Sequence, residues 1–214
     1  MCKNFVVWSG GCDSTYLLDD WSRYASEENP LTAMSVIHPG ISEEKMEKEA
    51  RARKLLKSFW EKKKRHIKYV EIKIDTNAYS IGDMNGGLHQ ANLWLGNILP
   101  FIPKNAKVAF GYIAGDDFWR ERHHIEEIIQ GMAKLSGAEG IEIVYPIEDF
   151  TKAQIICKLK KRGLYNKTWW CEHPQPGSNK KFCSHCHPCR IHKIALEEIK
   201  MFKMMEPKKL SEAL

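Results

Sequence analysis

The 214-residue chain has no run of 18 apolar residues, which excludes a membrane-spanning helix. It has no internal repeat, which excludes a solenoid, and no low-complexity segment. Neither G-x-x-x-x-G-K-[ST] nor G-x-G-x-x-G follows a strand, so the two commonest phosphate loops are missing. The opening "MCKNFVVWSGG" lacks an apolar signal core and a small-residue cleavage site, so an untargeted, cytoplasmic protein is expected. An even cysteine count is missing too. There are seven, with four between residues 171 and 189, and without a secretory signal such a cluster points to a metal rather than to disulfides.

What is present is ordinary for a folded domain: hydrophobic content is 43% and charged content 28%, enough for one substantial core. The net charge of +6 gathers partly in "KSFWEKKKRHIKY", which reads as a solvated helix end. That charge permits an anionic ligand such as a nucleotide.

Strand and helix patterns alternate through the first 165 residues. "FVVW", "LTAMSVIHPG", Ile67 to Ile74, "KVAFGYIAG" and "IEIVYP" read as strands. Between and after them, "STYLLDDWSRYAS", "SEEKMEKEARARKLLKSFWEKKK", "LHQANLWLGNILPFI", "RERHHIEEIIQGMAKLS" and "TKAQIICKLKKRG" read as helices. Ser42 and Thr151 are the expected N-caps, and Gly137 and Gly163 the stops. The pattern predicts a doubly wound α/β fold with a mostly parallel five-stranded sheet. Residues 166–214 break the alternation, so two units are expected: 1–165, binding nucleotide, and 166–214, binding metal and ending in a helix from about Pro188 to Met205.

Loop 9–14, Ser-Gly-Gly-Cys-Asp-Ser, lies at the carboxyl end of the first strand, where open α/β sheets bind ligands. Glycine allows close approach of the backbone, and the helix that follows directs N–H groups and partial positive charge at the loop. This is an anion site suited to phosphate. S-G-G-x-D-S resembles the PP-loop of the ATP pyrophosphatases, which cleave ATP between the α- and β-phosphates. The resemblance implies that Ser9, Gly10, Gly11 and Ser14 bind phosphate oxygens and that Asp13 places Mg²⁺ or the loop. Cys12 reads as a tolerated small residue.

Cys171, Cys183, Cys186 and Cys189 stand as C-x11-C-x2-C-x2-C. Four thiolates from one segment suit a closed structural zinc site, with an iron–sulfur cluster as the other group such a set can hold. His173, His185 and His187 read as neighbours.

The two motifs together resemble the 7-cyano-7-deazaguanine synthases, the QueC family of queuosine biosynthesis. "GYIAGDDFWRERHHIEEIIQGM", "IEIVYPIEDFTKAQI" and "KTWWCEHP" carry the likeness through most of the chain. It implies an adenine nucleotide alpha-hydrolase-like fold and a carbon–nitrogen ligase using ATP and Mg²⁺, with structural Zn²⁺. A 7-carboxy-7-deazaguanine carboxylate is adenylated, ammonia gives the amide, and a second ATP gives the nitrile, releasing AMP and pyrophosphate. Asp13 and Ser14 would be catalytic. Nucleotide contacts are expected also at Ile37, His38 and Gly111, and substrate contacts at Asn92, Asp116, Asp117 and Arg120. A homodimer is implied, and no direct nucleic-acid partner.

Three departures fall around the acceptor. The family's Gly-Arg-Asn is Gln90-Ala91-Asn92 here; its Tyr-Pro-Asp-Cys-Arg-like loop is absent after Asp116-Asp117; and the second strand ends "VIHPG". They leave open an adenylating enzyme for a tRNA base or macromolecule, in modification or defence, and a nucleotide-binding module without turnover. Arg120 and Arg122 are candidates to replace the lost arginine. Asp116 and Asp117 read equally as a helix cap, and His123-His124 as surface residues. "IGDMNGGLHQ" reads as a loop able to close over a substrate or, equally, as a plain connection.

Overall fold

The computed structural model describes residues 3–37, 42–74, 90–175 and 182–205. Five strands, β1 (Asn4–Val7), β2 (Leu31–Ile37), β3 (Ile67–Lys73), β4 (Lys107–Ala109) and β5 (Glu142–Val144), form one sheet in the order β3-β2-β1-β4-β5. Every pairing is parallel. The helices are α1 (Cys12–Trp21), α2 (Glu43–Lys62), α3 (Gln90–Ile98), α4 (Phe118–Ser136), α5 (Lys152–Lys161) and α6 (His187–Met205). This is the doubly wound parallel fold expected from the alternation of patterns.

The apolar run of β1 shows why. Phe5 and Val7 point into one core with Leu95, Val108 and Ile129, contributed by α3, β4 and α4. Val6 and Trp8 point into the other, with Leu17, Leu56 and Ile155 from α1, α2 and α5. A strand covered on both faces has no polar side to show, so its sequence is continuously apolar. α6 packs on α5 through Ala153, Ile156, Ala195 and Ile199.

Local chemistry sets the helix ends. The Ser42 hydroxyl accepts from the Lys45 amide at 3.3 Å, and Thr151 and Gln154 form a reciprocal capping box. Gly137, at φ 75°, ends α4 in the left-handed conformation. At the far end of the sheet, Asp19 is 3% exposed and joins three helices. It accepts from the Trp60 indole at 2.9 Å, from Arg162 at 2.9 Å and from Arg23 at 3.2 Å.

Some expected boundaries move. β4 stops at Ala109 instead of reaching Gly115. The Phe110 amide still donates to Val144 at 3.0 Å, but Tyr112 then stacks on Phe118, with ring centroids 3.9 Å apart, instead of continuing the ladder. The first helix is α-helical only to Trp21 and closes with a 3₁₀ turn over Ser22–Tyr24. His38, the "IGDMNGGLH" loop and the end of the chain beyond Met205 lie outside the described residues.

Candidate functional site

β1 sits where the strand order reverses, between β2 on one side and β4 on the other. In an open parallel sheet a crevice opens at the carboxyl ends of the strands at this point. A cleft of about 320 Å³ lies there, lined by Ser9, Gly11, Asp13, Ser14, Gly111, Tyr112, Asp116, Asp117 and Lys152. Lys45, Glu49, Trp94, Trp169, Glu172 and His187 line the rest. Because the strands are parallel, the helices that follow them start on this side. Residues at or near the N-terminal ends of α1, α2, α4, α5 and α6 all line the cleft. Each helix start carries about half a positive charge and free N–H groups, so the cleft favours an anion before any side chain is counted.

The loop is built for close approach. Gly10 has φ 89°, a conformation open to glycine, and its carbonyl accepts from the Trp169 amide at 3.1 Å. The Ser9 hydroxyl accepts from the Gly11 amide at 3.2 Å and lies 3.2 Å from the Ser14 hydroxyl. Gly111 has another reason to be glycine: a Cβ there lies 2.8 Å from the Ser14 nitrogen and 2.9 Å from its Cα. The chain after β4 therefore rests against the first turn of α1.

Asp13 forms an ion pair with Lys152, the first residue of α5. Burial acts to lower the Lys152 pKa, but Asp13, Cys12 and Asp116 together outweigh it and keep the ammonium above its ordinary value. The other Asp13 oxygen, Oδ1, is buried and has no hydrogen-bond partner among the described residues. Such an orphaned acceptor suits a cation or a ligand donor. Asp116 accepts from the Ile113 amide at 2.8 Å. Burial raises its pKa to about 6, and the Asp13 charge adds to the shift. Two carboxylates, one with an unsatisfied oxygen, fit Mg²⁺, a hard cation that takes oxygen ligands.

The remaining expected residues are placed unevenly. Asp117 is the N-cap of α4 without a side-chain cap bond, while Asp116 closes the turn before it. The Asn92 amide oxygen is buried without a hydrogen-bond partner among the described residues, and it does not line the cleft. Ile37 ends β2 outside the lining, where Val36 stands instead, and Arg120 is exposed on α4 away from it. Arg122 packs over the Tyr145 ring at 4.7 Å and pairs with Glu126 at 2.9 Å. Cys12 is buried, its sulfur 3.2 Å from the Thr168 hydroxyl.

Lys152, Lys45, Glu49 and Glu172 are lining residues that the sequence did not single out. Lys45 pairs with Glu172 and lies 3.7 Å from Glu49. A lysine one residue after an N-cap was the only available signal for Lys152.

Beside the cleft, Cys171, Cys183, Cys186 and Cys189 bring their sulfurs within 4.8 Å of one another. A single zinc ion with Zn–S of about 2.3 Å sets its ligand sulfurs about 3.8 Å apart, inside that limit, so the set can hold a metal ion. The shifts within the cluster oppose one another: against burial, the Cys186 and His185 amides hold the Cys183 thiol down, whereas burial pushes Cys171 and Cys189 up. Ala52 and Trp169 pack against Cys171, Cys186 and Cys189.

A parallel sheet with a glycine-rich loop at its switch point, ringed by helix starts and paired charges, defines an α/β protein with an anion-favouring cleft. Residues 119–200 match the family model of queuosine biosynthesis protein QueC. This stretch, which holds Lys152 and all four clustered cysteines, is QueC-like, as the sequence motifs imply. No curated protein matches the chain in sequence. Among solved structures, a U34-tRNA thiolase, NcsA, from Methanococcus maripaludis with its [4Fe-4S] cluster aligns with 15% identity and a TM-score of 0.49. The alignment covers 96% of this chain and 67% of that one. NMN synthetase from Francisella tularensis aligns with 16% identity and a TM-score of 0.41, covering 100% of this chain and 89% of the other. No helix among the described residues is long and apolar enough to cross a membrane.

Proposed function

We propose that the chain is an ATP-dependent adenylating ligase of the QueC type. The observation that carries this is the S-G-G-C-D-S loop at the switch-point cleft, with Lys152 of the QueC-like stretch reaching Asp13 inside it. The acceptor is a 7-carboxy-7-deazaguanine carboxylate. Its oxygen attacks the α-phosphorus of ATP, the α–β bridging bond breaks, and pyrophosphate leaves into loop 9–14. Ammonia then adds to the acyl carbon, and AMP leaves to give the amide. The amide oxygen attacks the α-phosphorus of a second ATP, a second pyrophosphate leaves, and loss of AMP and protons gives the nitrile.

The chain's own groups account for the charge this moves. Ser9, Ser14 and the helix starts hold the departing pyrophosphate by fixed dipoles, which need no reorganisation as charge develops. Lys152 trades its pairing with Asp13 for the phosphates, freeing the carboxylate. Asp13 and Asp116 hold Mg²⁺, which supplies charge neutralisation on the phosphate oxygens. The four cysteines hold Zn²⁺ in a closed site, which supplies folding stability to residues 171–189.

A second acceptor class has its own support. Gln90-Ala91-Asn92 lacks the family's arginine, and Arg120 and Arg122 do not line the cleft in its place. The same adenylation then serves a carboxylate or base on a tRNA or a protein. Zinc-loaded chain with ATP, Mg²⁺, ammonium and 7-carboxy-7-deazaguanine, followed by mass spectrometry, separates the two. AMP with an amide or nitrile product, lost in Asp13→Ala, supports the first. ATP left intact, or AMP with the deazapurine unchanged, removes it in favour of the second.

A further inference from the structure

The segment leading into the first clustered cysteine runs beside the nucleotide loop, and Thr168, Trp169 and Cys171 are each tied to the loop or to the metal site. The Thr168 hydroxyl donates to the Tyr165 carbonyl at 2.8 Å, which leaves its oxygen free to accept from the Cys12 thiol at 3.2 Å. The Trp169 amide donates to the Gly10 carbonyl at 3.1 Å. A side chain on Gly11 would project towards the Trp169 carbonyl, 3.6 Å from its Cβ. The Trp169 indole N–H donates to the Cys171 carbonyl at 3.0 Å. Cys171 is fully buried among the other clustered cysteines, and Glu172 beyond it pairs with Lys45 on the opposite wall of the cleft.

We propose that residues 168–172 are a positioning strap that couples the four-cysteine metal site to the nucleotide loop, so that metal and nucleotide bind with positive cooperativity. This rests on the reading of loop 9–14 as a nucleotide site. Gly10 is the loop residue held in the left-handed region, and the strap restrains it by a direct backbone hydrogen bond. The strap is restrained in turn because Cys171 is a metal ligand. With the metal gone, the pinned end is released, and the loop samples conformations a phosphate does not select. Binding to a preordered loop saves that ordering cost, and linkage makes the effect reciprocal: bound nucleotide strengthens metal binding at equilibrium by the factor by which metal strengthens nucleotide binding. Thr168 and Trp169 are thus positioning residues.

The test uses the full chain loaded with zinc and a non-hydrolysable α,β-methylene analogue of ATP with Mg²⁺. Zinc affinity is measured by equilibrium competition with a chromophoric chelator, with and without saturating analogue, whose binding is followed by calorimetry. The zinc dissociation constant is expected to fall at least about fivefold, the low end of coupling between linked sites. The stripped chain should bind the analogue more weakly by the same factor. Thr168→Ser keeps the effect; Thr168→Val and, independently, Cys12→Ala shrink it while both ligands still bind. Equal zinc affinities with and without the analogue, or the full effect in both of those last variants, overturn the coupling. A zinc-loaded chain that takes up no analogue overturns the nucleotide reading, and the coupling falls with it.

Discussion

Replacing Gly111 by alanine separates a packing role from a merely permissive one. The new Cβ meets the Ser14 nitrogen at 2.8 Å, the Ser14 Cα at 2.9 Å and the Asp13 carbonyl carbon at 3.0 Å, all backbone atoms of the first turn of α1. Backbone cannot rotate aside, so the turn must retreat by about 0.6 Å, from 2.8 Å to the 3.4 Å where ordinary contact begins. Overpacking of this kind costs about 1–3 kcal/mol, a fall in Tm of roughly 2–12 °C for a chain of this size. The retreating turn carries Asp13 and Ser14, so nucleotide binding should weaken as well. If a displacement of about 1 Å costs roughly a hundredfold in rate, this one costs about tenfold. Gly131→Ala in α4 is the internal control, since its Cβ meets nothing within 4 Å; it should gain about 0.5–1 kcal/mol. Thermal melts and calorimetric titration with the ATP analogue read both effects. A Gly111→Ala protein with unchanged Tm and unchanged affinity would falsify the close packing of β4's exit on α1.

Three further outcomes are expected. Lys152→Met should lower turnover by at least about a hundredfold, as loss of one fixed donor to developing charge does, in steady-state pyrophosphate release; near-normal turnover would remove Lys152 from the phosphate site. Asp116, with its pKa raised by burial to about 6, binds its proton more tightly folded than unfolded, so its contribution to stability falls as pH rises from about 4 through 6. Asp116→Asn should therefore melt higher than the parent at pH 7.5 and gain nothing at pH 4; equal differences at both would contradict the shift. Elemental analysis should find one zinc per chain and, in Cys189→Ser, a weaker retention with a lower Tm; a four-iron chromophore with sulfide would refute the single-ion assignment.

The fold was legible because its information is local. A doubly covered strand such as β1 is continuously apolar from Phe5 onward, the edge strand β3 mixes apolar and charged residues, and caps such as Ser42 and Thr151 mark the turns between. The loop and the cysteines were legible as motifs for the same reason. The cleft's other wall was not. Lys152 meets Asp13 from 139 residues away, and Lys45 meets Glu172 across 127. In the sequence these are a lysine after a cap and a charge in a charged helix, and only the sheet order brings them together. Arg120 shows the converse. Its charge and its place after strand four made it plausible, but the turn of α4 faces it to solvent.

Asp19 stands where α1, α2 and α5 end, and the same three helices begin around the cleft. Three rods joined at one end behave as a tripod, and here two of the feet are tied as well, Asp13 on α1 to Lys152 on α5. A 15 Å helix of ten residues turned by about 4° moves its tip by about 1 Å. A single buried carboxylate at the far ends of the helices, and one ion pair at their starts, thereby hold the charges of the anion site in register.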